Sequence, residues 1–218
     1  MRALNTFILF TFILSLALIM PAASHARATE PGEMVLEVSN EVLSMVRGLR
    51  EDENGSEKLQ EKLQNYLSTY IDFPAFARGV MGKYREDASE EKKEKFTSDF
   101  KRTLVKLYSK AMLAFEVRDV SIAEVINPRP DVAQVTMHIT SKENASFKAQ
   151  YSLRKGPDGK WQVRNVVLDG VNLGLTYRNQ FYSAVSSNDG DVTAAINNWS
   201  DVMKDTQKDI EKDIDKKK

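Results

Sequence analysis

The segment 159–173, GKWQVRNVVLDGVNL, decides the fold because the chain changes its kind of secondary structure within it. The β-branched and aromatic residues of Trp161–Leu168 predict a strand. Asp169 and Gly170 follow at once and predict a turn. Leu175–Ser186 then has the pattern of an aromatic-bearing helix, so we expect only helices after Gly170. Any sheet that the chain builds must therefore be completed by Trp161–Leu168.

Three further strands are predicted upstream of this segment. Val117–Ile126 is rich in β-branched residues, and we expect it to stop at Asn127-Pro128-Arg129-Pro130 because proline lacks the N–H that a sheet needs. In Val132–Thr140 and in Ala145–Arg154 apolar and polar residues alternate, which is typical of strands with one buried face. Short links join all of them, and Gly156-Pro157-Asp158-Gly159 predicts a turn. The sequence thus predicts an antiparallel meander of four strands.

Four helices are predicted before the first strand. Apolar residues recur at helical spacing in Glu33–Arg50 and from Leu59 to Tyr70. Asp72 is expected to cap a short third helix that ends at Gly82, and Ser89 a long fourth one. The apolar stripe of the fourth helix consists of Phe96, Phe100, Leu104, Leu107, Tyr108, Met112 and Phe115. We expect the strands to supply the apolar surface that this stripe needs.

The element order indicates an α+β fold with a helical layer packed on a curved, mainly antiparallel four-stranded sheet. Leu175–Ser186 and Asp191–Met203 predict two helices after the sheet. Residues 204–218 form a charged tail rich in Lys and Asp, which we expect to be solvated. At the other end, residues 1–28 have the pattern of a cleaved secretory signal peptide: Arg2, an uncharged run and then small residues. The sequence therefore predicts one secreted domain over residues 29–203.

Composition excludes several function classes. The chain has 31 basic and 31 acidic residues, and loss of Arg2 and Arg27 with the signal peptide leaves a net charge of about −2. Such a balance gives no electrostatic footprint for nucleic acid, so no nucleic-acid partner is expected. There is no cysteine, and His138 is the only histidine of the mature chain. We predict no catalytic residues, no metal site and no cofactor, and we expect Asp169 to bond local backbone amides in its turn.

Several short motifs, in order, resemble the MlaC or toluene-tolerance family of the Mla lipid-asymmetry pathway. They are Tyr70-Ile71-Asp72-Phe73, Met81-Gly82-Lys83-Tyr84, Trp161-x-Val163, Val166-x-x-x-Gly170-Val171-Asn172 and Tyr177-Arg178-Asn179-Gln180-Phe181. The resemblance covers essentially the whole mature chain. Asn165 stands where the family usually has an acid, and Asn172 where serine is common.

The resemblance implies a periplasmic carrier that shuttles glycerophospholipid and maintains outer-membrane lipid asymmetry. The implied partners are an outer-membrane lipoprotein–porin complex and the substrate-binding subunit of an inner-membrane ABC transporter. The acyl chains would lie in an apolar cavity between the helices and the sheet. The residues expected to contact lipid are Phe73, Phe76, Val80, Tyr84, Phe100, Leu104, Tyr108, Met112, Val135, Met137, Phe147, Tyr151, Leu153, Val163 and Val171.

Two other function classes remain open from the residues alone. Helices on a curved sheet also form cone-shaped pockets that host isomerases or dehydratases, which need a buried acid or a His–Asp pair. A periplasmic adaptor with a solid core would bind only proteins. A lipid carrier differs from both because it should contain phospholipid when it is purified.

Overall fold

The structure, a computed structural model, describes residues 30–204. The predicted signal peptide and the tail from residue 205 onward lie outside the described residues. In chain order the elements are α1 (Pro31–Leu49), α2 (Gly55–Tyr66), α3 (Phe73–Met81), α4 (Glu90–Ala114), β1 (Val117–Arg129), β2 (Val132–Ser141), β3 (Ser146–Lys155), β4 (Trp161–Leu168), β5 (Val171–Asn172), α5 (Leu173–Ser187) and α6 (Val192–Asn197). This confirms the α+β class and the order of helices, sheet and helices.

The sheet has five strands in the order β1-β2-β3-β4-β5, and every neighbouring pair is antiparallel. The prediction of four strands is wrong because Val171–Asn172 pairs back onto Val167 and Leu168. Asp169 and Gly170 both have positive φ, 45° and 83°, which is the geometry of a type I′ hairpin turn. Asp-Gly favours this turn, so the chain forms a short fifth strand before α5 begins.

β1 continues through Asn127–Arg129 instead of ending at Ile126 as predicted. β1 is an edge strand, so Pro128 can place its nitrogen, which carries no hydrogen, on the side away from β2. No hydrogen bond of the sheet is then lost. The pairing with β2 also shifts register between Ile126 and Arg129. Proline therefore disturbs the end of the strand without ending it.

The predicted caps are present at the ends of α3 and α4. Asp72 Oδ1 accepts a hydrogen bond from the N–H of Ala75 at 2.9 Å, and Ser89 Oγ accepts one from the N–H of Lys92 at 3.3 Å. Gly82 ends α3 with a φ of 56°. A β-carbon at this position would lie 2.2 Å from Tyr182 Oη, so the close approach of α5 also requires glycine here.

Buried apolar side chains form three clusters. The helical cluster joins α3, α4, α5 and α6 and includes Phe73, Phe76, Val80, Phe96, Phe100, Leu104, Tyr177, Phe181 and Trp199. The sheet cluster joins α1 to β2, β3 and β4 and includes Met34, Val35, Val135, Met137, Leu153, Trp161 and Val163. The corner cluster joins α1, α2 and α4 and consists of Val46, Leu59, Leu63 and Val105.

The aromatic stripe of α4 packs mainly on other helices and not on the strands, contrary to the prediction. The ring centroid of Phe96 lies 4.9 Å from that of Phe181 and 5.2 Å from that of Trp199. α5 and the helical residues after it fold back over α4 and provide this surface. The principal neighbours of α4 are α2 and α3, while α1 covers β1 and β2. Helices and sheet are therefore two layers, each with an apolar cluster of its own.

The segment between α2 and α3 joins the layers. Ile71 packs against both the helical and the sheet cluster, and Leu67 against both the helical and the corner cluster. Ile71 also forms an isolated bridge with Val163. The N–H of Val163 donates to the Tyr70 carbonyl at 2.8 Å, and the N–H of Asp72 donates to the Val163 carbonyl at 2.9 Å. These bonds fix the helical layer to one edge of the sheet.

Candidate functional site

The candidate site is the region where the helical layer meets the sheet. Five predicted contact residues lie in the helical cluster, namely Phe73, Phe76, Val80, Phe100 and Leu104. Four lie in the sheet cluster, namely Val135, Met137, Leu153 and Val163. Four others are half-buried at the margins of the clusters, namely Tyr84, Tyr108, Met112 and Tyr151. The predicted residues are thus divided between two walls and the corner that joins them.

Tyr108 and Tyr151 are half-buried tyrosines at the margins of the helical cluster and the sheet cluster. Burial raises the pKa of Tyr151 to about 12, although the side chain keeps accessible surface. Burial likewise raises the pKa of the half-buried Tyr108. The surrounding protein therefore removes much of the water from each phenol, since a phenol on the open surface would keep its ordinary pKa. Tyr108 belongs to α4 and Tyr151 to β3, so the two walls each contribute one.

An aromatic contact joins the layers at one end. Phe115 follows α4, and its ring centroid lies 5.2 Å from that of Phe147 in β3, with the ring planes at 80°. Arg50 donates to the carbonyl oxygens of Leu113 and Phe115, at 3.2 Å and 3.1 Å. The end of α1 therefore holds the end of α4 against the sheet. Phe147, a predicted contact residue, therefore lies where the end of α4 meets the sheet.

Val171, another predicted contact residue, lies in the β4–β5 hairpin and is 53% exposed. Leu168 pairs with it across the turn and is 39% exposed, and Leu175 in the first turn of α5 is 51% exposed. These three side chains form an apolar lip on the surface, at the start of α5. The Val171 side chain lies on the molecular surface and belongs to none of the three clusters.

Asp169 has a different partner from the one predicted. Its Oδ1 accepts a hydrogen bond from the backbone N–H of Lys148 at 2.7 Å, and its own N–H donates to the Lys148 carbonyl at 2.9 Å. The prediction of local backbone bonds is wrong because Asp169 continues the pairing of β4 with β3. The carboxylate thus anchors the hairpin to the neighbouring strand.

Of the other titratable side chains, Asp99 forms ion pairs and His138 lies at the surface. Asp99 is buried, and its carboxylate oxygens lie 2.5 Å from both Lys95 Nζ and Arg102 Nη2. His138 is exposed on the outer face of β2. Within residues 30–204 no group of three or more His, Cys, Asp or Glu side chains is arranged to hold a metal ion.

Comparison with known proteins identifies the family. The profile of the MlaC protein matches residues 36–201. This chain belongs to the MlaC family. The chain is 27% identical over 175 residues to the toluene tolerance protein ttg2D of Pseudomonas putida, covering 79% of this chain and 81% of that protein. A phospholipid-binding protein from Ralstonia solanacearum, solved in complex with a phospholipid, shares the fold with a TM-score of 0.69 and 19% identity, covering 82% of this chain and 97% of that structure. The resemblance seen in the sequence is confirmed.

The two departures of this MlaC-family chain from the family pattern bond to each other. Asn165 Nδ2 donates to Asn172 Oδ1 at 3.0 Å, and Asn172 Oδ1 also accepts from the N–H of Leu175 at 3.0 Å. Asn165 Oδ1 accepts from the N–H of Gly174 at 3.0 Å. An acid at position 165 could not donate to Asn172, so the amide pair is a matched set. Together they begin α5 beside the apolar lip.

Three residues that connect elements around the candidate site of this MlaC-family chain were not predicted from the sequence: Ile71, Tyr177 and Arg164. Ile71 joins the two layers, and Tyr177 bonds Tyr108 through the two hydroxyls at 2.7 Å. Arg164 Nη2 lies 2.8 Å from Asp72 Oδ2, which ties β4 to the start of α3. Ile71 and Tyr177 both lie in family motifs, which was the signal that could have identified them. No described helix of this chain is long and apolar enough to cross a membrane.

Proposed function

We propose that this MlaC-family protein is a periplasmic phospholipid carrier. Its mature domain, residues 29–203, would cover the acyl chains of a glycerophospholipid between the helical layer and the sheet. The observation that carries the proposal is the division of the predicted contact residues between the helical cluster and the sheet cluster, with the half-buried Tyr108 and Tyr151 at their margins. Family membership and the fold shared with a phospholipid-binding protein support the same ligand class.

The energetics of lipid extraction explain why two separate layers suit this function. Moving two acyl chains of some 30 methylenes out of a bilayer costs on the order of 20–25 kcal/mol, at about 0.8 kcal/mol per methylene. Both chains must therefore be covered by apolar surface. A carrier must also stay folded without its ligand. The helical and sheet clusters each have their own close packing, so each layer can persist while lipid enters or leaves between them.

Burial separates the proposed contact residues into two groups. The half-buried Tyr108, Met112, Phe147 and Tyr151 have accessible surface to offer and are the proposed direct contacts. The fully buried members of the predicted set, such as Phe100 and Leu153, support these walls from behind. Val171 and the rest of the exposed lip would meet the lipid where it enters.

We further propose that the carrier moves phospholipid between the outer-membrane lipoprotein–porin complex and the substrate-binding subunit of the inner-membrane ABC transporter. The signal-peptide pattern of residues 1–28 supports export to the periplasm. Family membership supports the route. The charged residues 204–218 would stay solvated during transport.

An enzyme of the cone-pocket class is less well supported. General acid–base chemistry in such a pocket needs a buried carboxylate or a His–Asp pair that is free to react. Within residues 30–204, Asp99 is the most buried carboxylate, and Lys95 and Arg102 both pair with it. Asp72 caps α3 and pairs with Arg164. These bonds favour structural roles for both acids.

Mass spectrometry of organic extracts tests the proposed function. Protein purified from the periplasm should contain phospholipid in near-equimolar amount, and delipidated protein should take up labelled phospholipid from vesicles. An unrelated periplasmic protein purified in parallel controls for lipid carried over from the membranes. Protein that contains no phospholipid and takes none up from vesicles would overturn the carrier proposal and favour the solid-cored adaptor.

A further inference from the structure

Tyr108 and Tyr177 share a hydrogen bond that uses only one of their two hydroxyl protons. Their hydroxyl oxygens lie 2.7 Å apart, and either one can be the donor. Each phenol has one proton, and a single bond between them uses only one of the two. Neither hydroxyl has another hydrogen-bond partner among residues 30–204. A donor is therefore available at the point where α4 and α5 meet.

The side chains of Tyr177 and Tyr108 have different surroundings. Tyr177 is 2% exposed, and its ring lies edge-on to Phe100 inside the helical cluster, with centroids 5.6 Å apart. Tyr108 is half-buried at the margin of the helical cluster. When Tyr177 donates to Tyr108, the proton of Tyr108 remains available for a second acceptor. Burial raises the pKa of both phenols, so both keep their protons at neutral pH.

We propose that the Tyr108 hydroxyl, oriented by Tyr177, donates a hydrogen bond to an ester carbonyl oxygen of the bound lipid. This inference rests on the proposed function and names the chemical group that the site recognises. A desolvated donor without an acceptor is unfavourable, so the site favours ligands that bring an acceptor to this depth. The ester carbonyl is the acceptor nearest to an acyl chain. The bond would set how far the chains enter and would discriminate against alkyl ethers and plain hydrocarbons.

The test compares a diester phosphatidylethanolamine with its diether analogue of equal chain length, each bound to the delipidated mature protein. The diether lacks both carbonyl oxygens and otherwise presents the same headgroup and chains. The wild type should bind the diester about tenfold more tightly, the effect of one hydrogen bond that would otherwise be unmade. Tyr108→Phe should bind the two lipids equally. Tyr177→Phe should keep part of the preference because Tyr108 still has its proton but loses its orienting partner.

Tyr182→Phe is the matched control because it removes a hydroxyl of α5 that accepts a bond from the Lys83 N–H at 3.0 Å. It should keep the full preference for the diester. Equal binding of both lipids by the wild type, or a preference that survives in Tyr108→Phe, would overturn the role of Tyr108 and leave the carrier proposal standing. Failure of the wild type to bind either lipid would overturn the carrier proposal and this inference with it. The wild-type comparison needs no variant to fold.

Discussion

Two regions of α4 carry the same kind of side chain in different surroundings. Phe100, in the helical cluster, has no exposed surface, and four rings surround it: Phe76, Phe96, Tyr177 and Trp199. Tyr108, further along the same stripe, is desolvated yet keeps accessible surface. Helical periodicity places both on one apolar face. The comparison teaches that periodicity identifies an apolar face without telling whether other side chains or a ligand will cover it.

The sheet repeats this division on its inner face. Leu153 is 2% exposed and packs in the sheet cluster, whereas Tyr151, on the same face of β3, is half-buried. Each layer therefore has a closed part, which is covered by protein, and a half-buried open part, which we propose contacts lipid. The closed parts should determine stability, and the open parts should determine lipid loading. The following variants test this division.

The largest effect is expected from a matched pair of phenylalanines. Phe100→Ala should lower the free energy of unfolding by about 3–5 kcal/mol, because it leaves a cavity in a closed cluster. Phe147→Ala should cost only about 1–2 kcal/mol, because its ring is half-buried and loses mainly the contact with Phe115. Urea denaturation of the delipidated proteins measures both. Equal costs at the two positions would show that the space is packed as tightly as the helical cluster.

A smaller change in stability and a large change in loading are expected when the space is filled. Met112 is half-buried on α4, and Met112→Trp adds volume where we propose that acyl chains lie. The variant should stay folded and contain much less phospholipid after purification. Lys106→Trp adds a similar ring on the exposed side of the same helix and is the control. Full loading of Met112→Trp would place the acyl chains elsewhere.

Local features of this fold could be predicted because they depend on neighbouring residues. Asp72, Ser89 and Gly82 act at helix ends as their chemistry requires, and alternation identified β2 and β3. The errors concern partners that are distant in sequence. Nothing in the sequence of α4 shows that Phe96 meets Trp199, since any apolar surface would satisfy the same stripe.

The candidate site was predicted less well than the fold for the same reason. Alternation placed Tyr151 and Leu153 on one face, which the structure confirms, but only three-dimensional packing shows that the first is half-buried and the second fully buried. The bond between Tyr108 and Tyr177 and the ion pair between Asp72 and Arg164 join elements that are distant in sequence. Such pairs follow from the arrangement of the layers, which residue spacing does not determine.

The smallest expected effect tests whether Tyr151 faces a confined space or open water. Its pKa is about 12 in the folded chain because of burial, against about 10 for an unfolded tyrosine. Between these values the unfolded chain binds fewer protons, so the free energy of unfolding should fall as pH rises from about 10 to about 12. In Tyr151→Phe the free energy of unfolding should fall less steeply over this range. The ultraviolet absorbance of this variant should also lose one phenolate transition at high pH. Bound phospholipid should move the wild-type transition to still higher pH, because acyl chains exclude water from the phenol. A transition near pH 10 that lipid does not move would place Tyr151 against bulk solvent and remove it from the proposed lining.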